Sequence, residues 1–234
     1  MLTRRLTKPL AIGAAVVVIG GGAIGIAGAT SSNGTAAAGT AQTAKAGFTA
    51  RAGSNARSGP AAGGVAGTVS SVSTSSFTVS TSAGQKVTVK KTSSTTYRKR
   101  TSSTSASAVK KGEPVLVLGT ANGTAITATQ VVVQPASGGS LSFSPSKVAP
   151  FQRGAPSTSK QDGQVPANYT EGSGTIVSGA TANKATTAAL AAYPGGVVDR
   201  VVKLSNGEYE VHNIGVNWPH HVFVSKTFKV IGAE

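Results

Sequence analysis

Residues 185–213 read ATTAALAAYPGGVVDRVVKLSNGEYEVHN. Ala185, Ala188, Ala189 and Ala192 recur at three- and four-residue spacing with Leu190 beside them, which predicts a helix with a small apolar face. Thr181 is its expected N-cap, giving a helix over about 182–192. Such a face must pack closely on something flat. Tyr193 ends the helix, because Pro194-Gly195-Gly196 cannot continue it. Val197, Val198, Val201, Val202 and Leu204 then predict a strand, irregular near Asp199-Arg200. Asn206-Gly207 is a favoured two-residue hairpin turn, and Tyr209, Val211 and Asn213 alternate with Glu210, His212 and Ile214 on the strand that follows. Asn217-Trp218-Pro219-His220 turns the chain again, and Val222, Val224, Phe228 and Val230 carry the last strand. Upstream, Gly174 to Ser178 predicts a short lead-in strand.

The order of these pieces resembles the PepSY domain, a small module also found in propeptides of some secreted metallopeptidases. The resemblance is carried by Ala185 to Leu190 with Tyr193-Pro194-Gly195-Gly196, by Asn206-Gly207-Glu208-Tyr209-Glu210-Val211, and by the final strand through Val224. It departs from the family at Trp218-Pro219-His220-His221, where an Asp-Gly turn is usual. The resemblance implies a helix packed on an antiparallel meander over 173–234. It also implies an extracytoplasmic protein or a peptidase as partner.

Before this region, period-two alternation marks half-buried strands at Val65 to Val69, Phe77 and Val79, and Val87 and Val89, with a turn at Ser82 to Gln85. Val115-Leu116-Val117-Leu118 is a continuous apolar run and reads as a strand covered on both faces. Asn122-Gly123 turns the chain into a return strand, Ile126 to Val133. Five or six short strands over 64–134 predict a small closed or nearly closed barrel. Gly64, Gly67 and Val69, with Phe77-Thr78-Val79, Lys86 to Val89 and Gly112 to Gly119, resemble a family of small exported bacterial β-barrels of OB-like form with no assigned function. Residues 30–63 and 135–172, rich in Gly, Ala, Ser, Thr and Pro, read as tethers. The expected fold class is therefore α+β, mostly β: a barrel-like domain followed by a small α+β module.

Arg4, Arg5 and Lys8 precede the uncharged stretch Leu10 to Ala27, the grammar of an export signal. Ala27-Gly28-Ala29 has the small-x-small pattern of a cleavage site, after Ala29. Yet 18 residues rise about 27 Å as a helix, close to a membrane's apolar thickness. Both a cleaved signal and a single-span anchor at 10–27 are therefore open. Either way the rest of the chain lies outside the membrane, secreted or anchored at the cell envelope.

The 234-residue chain has a net charge of +15 and no acid before Glu113. That balance favours polyanions. Lys90, Lys91, Arg98, Lys99, Arg100, Lys110 and Lys111 cluster in the barrel region and are the candidate polyanion-binding set. Only Tyr97 is interleaved among them, whereas recognition of nucleic acid normally adds stacking aromatics. Anionic wall polymer and lipid headgroups are therefore the better-fitting partners. The absence of Cys excludes disulfides and thiolate sites.

Catalytic signatures are lacking: there is no nucleophile elbow, phosphate loop, dinucleotide fingerprint or paired-His zinc helix. We therefore expect no enzyme, no cofactor and no metal site. A hairpin centred near Trp218 would set His212 opposite residue 225, about 13 Å along the ladder from His220 and His221. In this reading Glu208 and Glu210 are solvated strand residues. The Trp218 turn, with His220 and His221, is the candidate partner-binding feature: Trp218 is either an exposed anchor or folded back over Val216 or Val222. Two functions follow as expectations. In the first, an exported, non-catalytic protein binds a protein partner through its PepSY-like module and modulates a peptidase. In the second, the basic barrel and tether adhere to anionic wall polymer or lipid.

Overall fold

The computed structural model describes residues 59–134, 149–150 and 160–234. The expected signal or anchor segment at 10–27, the cleavage position after Ala29, the tether as far as Ser58 and most of 135–159 lie outside the described residues. Among the described residues no helix is long and apolar enough to cross a membrane.

The first half of the described chain forms β1 (Ala61–Val72), β2 (Ser76–Ser80), β3 (Lys86–Lys90), β4 (Thr96–Lys99), β5 (Ser102–Thr104), β6 (Pro114–Asn122) and β7 (Ala125–Val133). Five of them close a barrel in the order β1-β2-β3-β7-β6 and back to β1. Of these five closing pairings β3/β7 alone is parallel. The alternation read from the sequence is the alternation seen: Val87 and Val89 are fully buried while Lys86, Thr88 and Lys90 face solvent. Val65, Phe77, Val79, Val115, Val117, Ile126 and Val131 fill the interior with them. β4 runs on beside β7 past the end of β3 and carries β5 as an edge.

The second half contributes β8 (Ala149–Pro150), β9 (Asp162–Gly163), β10 (Thr175–Ile176), the helix α1 (Gly179–Ala192), β11 (Val197–Lys203), β12 (Tyr209–Ile214), β13 (Val216–Trp218), β14 (His221–Val224) and β15 (Val230–Ala233). β11, β12, β14 and β15 pair antiparallel in succession, with β10 beside β11 and β9 beside β15. The irregularity expected at Asp199-Arg200 is a register shift between Val198 and Arg200. The helix starts earlier than Thr181 predicts, with Ser178 as its N-cap. It buries Ala182, Ala185, Thr186, Ala189 and Leu190 rather than the stripe that included Ala188 and Ala192.

β1 belongs to both halves. Beyond its barrel pairings, Gly64 and Val65 pair with Val198 and Val197 of β11. Glycine is what permits this approach: a Cβ on Gly63 would overlap the Val198 carbonyl. The apolar run of β6 explains the two covered faces predicted for it. Val115 and Val117 point into the barrel, while Leu116 and Leu118 join Ala66 and the helix residues in a second core with Val198, Val201, Val211 and Val222. Within residues 160–172, read as tether, Val165 and Tyr169 pack on a third cluster of Val202, Leu204 and Phe223. Their Pro- and Gly-rich surroundings hide these two anchors from a reading by composition.

Candidate functional site

The hairpin between β12 and β14 departs from the expected register. β13 leaves the ladder to pair with β8. β14 therefore resumes at His221, directly opposite His212. The 13 Å separation expected for these histidines is corrected by this detour: each of the three imidazoles offers a nitrogen within 4.8 Å of the others'. A hairpin reading assumes that the chain stays in the sheet through its turn, and here β13 does not.

Each imidazole has a distinct setting. His212 and His221 are 6% and 7% exposed, and His220 is half-buried. His212 Nδ1 lies 2.6 Å from Asp199 Oδ1, on the irregular segment of β11. Its Nε2 faces His220 Nε2 at 2.8 Å. His221 sits between two carboxyls, with Nε2 3.6 Å from Glu210 Oε1 and Nδ1 3.5 Å from Glu234 Oε1. Its Nε2 is buried and makes no hydrogen bond. Arg200 Nη1 approaches Asp199 Oδ2 at 3.4 Å and is the nearby fixed cation. The backbone braces the cluster: the N–H groups of His220 and His221 both donate to the Glu234 carbonyl, and that of Asn213 donates to the His220 carbonyl.

Burial dominates the electrostatics. It pushes His221 down to about 3, helped by the neighbouring His220, His212 and Arg200. It also lowers His220, with His212 as the next cause. Both are therefore neutral at pH 7, with lone pairs available. Glu210 is 1% exposed rather than solvated as expected, and burial raises its carboxyl against the opposing pull of His212 and Arg200. Burial likewise raises Glu234. Glu208 behaves differently, accepting a 2.7 Å hydrogen bond from Asn206 Nδ2 in the β11–β12 turn.

Trp218 is not an exposed anchor. It is 4% exposed, its indole N–H donates to the Lys160 carbonyl, and Tyr193 meets it edge-on at 5.6 Å. Of the proposed partner-binding trio, His220 alone reaches an open surface. It lines a cleft of about 890 Å³ with Ala83, Gln85, Ile214, Gly215 and Val216, between the β2–β3 turn and the β12–β13 link.

The seven cations picked from the sequence gather elsewhere. β1 and β7 end, and β6 begins, at one end of the barrel: Thr68 pairs with Pro114, and Val115 with Val133. Lys90 closes β3 at this end, with Lys91 Nζ donating to the Ser73 carbonyl of the β1–β2 turn. Lys99 pairs with Val133, and Arg100 N–H donates to the Val133 carbonyl. Lys110 and Lys111 lie in the loop entering β6. All but the half-buried Lys91 are exposed, and Glu113 is the sole acid of the described barrel residues. β11 joins β1 at Gly64 and Val65, toward the other end.

No family model, curated protein or solved structure matches the chain. The reading therefore rests on its own geometry. Asp199, Glu210 and Glu234 were not expected to serve the histidines. Only the break in pattern at Asp199-Arg200 marked that stretch as unusual.

Proposed function

We propose that this chain is a non-catalytic binding protein of the cell envelope, held outside the membrane at an anionic surface by the basic end of its barrel. The observation that carries this reading is the convergence of Lys90, Lys91, Arg98, Lys99, Arg100, Lys110 and Lys111 at one end, with Glu113 as the only acid in the described barrel residues. Such a surface attracts polyanions with a strength that falls as salt screens it over about 8–10 Å at 0.10–0.15 M. Wall polymer and lipid headgroups share the anionic chemistry, and separate arms of one experiment distinguish them. The full chain is applied to purified anionic wall material and to vesicles with and without anionic lipid, over a salt series. Salt-sensitive retention that disappears when Arg98, Lys99 and Arg100 are replaced by Gln supports the reading. Retention indifferent to those replacements overturns it.

A second reading concerns the opposite end. The order helix, Pro-Gly-Gly turn, antiparallel strands over 179–233 is what a PepSY-type module would have, and the cleft beside His220 gives a protein partner, a peptidase among them, a largely apolar place to engage. Because Trp218 is buried, that contact would fall on Ala83, Gln85, Ile214 and Val216. Capture of a peptidase by the full chain, reduced by Ile214→Asp, tests this reading; capture unaffected by that change counts against it.

A further inference from the structure

We propose that His212, His220 and His221 form a site for one divalent transition-metal ion of the zinc or copper type, with a fourth position open toward the cleft beside His220. The inference rests on the geometry of the cluster and is independent of the docking reading.

Three features carry it. The first is donor placement. Three imidazole nitrogens lie within 4.8 Å of one another, contributed by two adjacent strands and the turn between them. A tetrahedral ion bound at roughly 2.0–2.1 Å needs donors roughly 3.4 Å apart. The His212 and His220 nitrogens at 2.8 Å would open slightly and His221 would close in.

The second is the surrounding shell. Asp199 Oδ1, 2.6 Å from His212 Nδ1, is placed to accept an N–H from that nitrogen, and Nε2 faces inward toward His220. A metal-bound histidine is typically held this way, its second nitrogen donating to a carboxylate. His221 has a carboxyl on each side, Glu210 and Glu234, so whichever nitrogen takes the ion the other finds an acceptor.

The third is what remains unsatisfied without an ion. A hydrogen bond between His212 and His220 explains their 2.8 Å contact but leaves His221 Nε2 buried without a hydrogen bond, its nearest acceptor Glu210 Oε1 standing off at 3.6 Å. Such a group costs free energy that a ligand can recover. The carboxyls of Asp199, Glu210 and Glu234 also surround the cluster beside the guanidinium of Arg200, a setting that favours a cation.

The donor set selects the class. Three imidazole nitrogens suit zinc, copper, nickel and cobalt better than magnesium or calcium, which prefer oxygen. With no Cys in the chain, no thiolate competes. Entry is through the cleft, because His220 is the ligand on its wall. Binding would tie β12 to β14 and, through Asp199 and Glu234, to β11 and the end of β15.

The test uses the full chain, stripped with a chelator. Zinc is titrated against a chromophoric competitor, and cobalt(II) is added to the same protein for its visible spectrum. The expected result is one ion per chain and an intense, tetrahedral-type cobalt spectrum. His212→Gln and His221→Gln should each weaken zinc binding at least a hundredfold, and Asp199→Asn by roughly 10–100-fold, as for an outer-shell partner. If a variant fails to fold, the cobalt spectrum of the unaltered protein still decides. A weak, hydrated-ion spectrum, an absence of stoichiometric binding, or binding that survives the His substitutions overturns the proposal.

Discussion

His212 and His221 face each other directly across β12 and β14. This pairing makes one cluster of residues that a simple hairpin would hold apart, and it exists because β13 is drawn out of the ladder by β8. Opposed residues of an antiparallel pair have Cα atoms roughly 4.5–5.5 Å apart, within the span a disulfide bridges. The chain has no native Cys to interfere. His212→Cys combined with His221→Cys should therefore oxidise to an intramolecular disulfide, visible as a mass loss of two hydrogens and a mobility shift reversed by reductant. His212→Cys with Ser225→Cys should not. The opposite pattern would restore the simple hairpin register.

Tyr193 gives a pH dependence with a definite sign. Its hydroxyl donates to Asp162 Oδ2 at 2.6 Å, tying the end of α1 to β9. Burial, then that hydrogen bond and the Asp162 charge, raise the phenol well above its ordinary value of 10.0. A group raised on folding stabilises fully below its unfolded value and loses that contribution as pH climbs toward the folded one. Stability should therefore fall above about pH 10, and Tyr193→Phe should remove part of that fall. At neutral pH the same change should cost roughly 1.5–3 kcal/mol, as for a hydrogen bond to a charged group. Urea midpoints of both proteins at pH 7, 9 and 10.5 check this; parallel pH profiles would show that the phenol is not held by Asp162.

Much of the fold is legible in the sequence because its strands obey a simple period. Val87 and Val89 alternate with Lys86, Thr88 and Lys90, so inside and outside separate at once. Leu116 and Leu118 announce a covered outer face, but nothing local says that the cover is α1. The basic end is legible as a charge run, yet its convergence depends on strand order. The histidine cluster is hidden for a different reason. A pairing register is a long-range property, and β8, which reroutes the turn, lies 66 residues before Val216, as its Pro150 partner shows. Glu210 alternates like a solvated residue, but the layer formed by Tyr169 and Phe223 covers that face of the sheet.

The junction at Gly64 supplies the last prediction. Gly64 pairs with Leu118 on one side and Val198 on the other, beneath Thr186 of α1. A Cβ there would overlap the Val117 carbonyl and stand 3.1 Å from Thr186 Cγ2 and 3.2 Å from Leu118 Cδ2. The obstructing carbonyl belongs to β6 and, being backbone, cannot swing aside, so β1 and β6 must part locally and Thr186 of α1 must give way above them. Gly64→Ala should destabilise by about 1–3 kcal/mol, the usual cost of overpacking. Gly59→Ala, with nothing within 4 Å of its added carbon, should stay within about 0.5 kcal/mol of the parent. The probe is built in: Trp218, the only tryptophan, is buried among the C-terminal strands, while far-ultraviolet dichroism reports the whole sheet. If barrel and C-terminal strands unfold as one unit, both signals should share a single urea midpoint, and Gly64→Ala should lower both together. A Trp218 transition unmoved by Gly64→Ala would mean that the C-terminal strands hold together without their seat on β1.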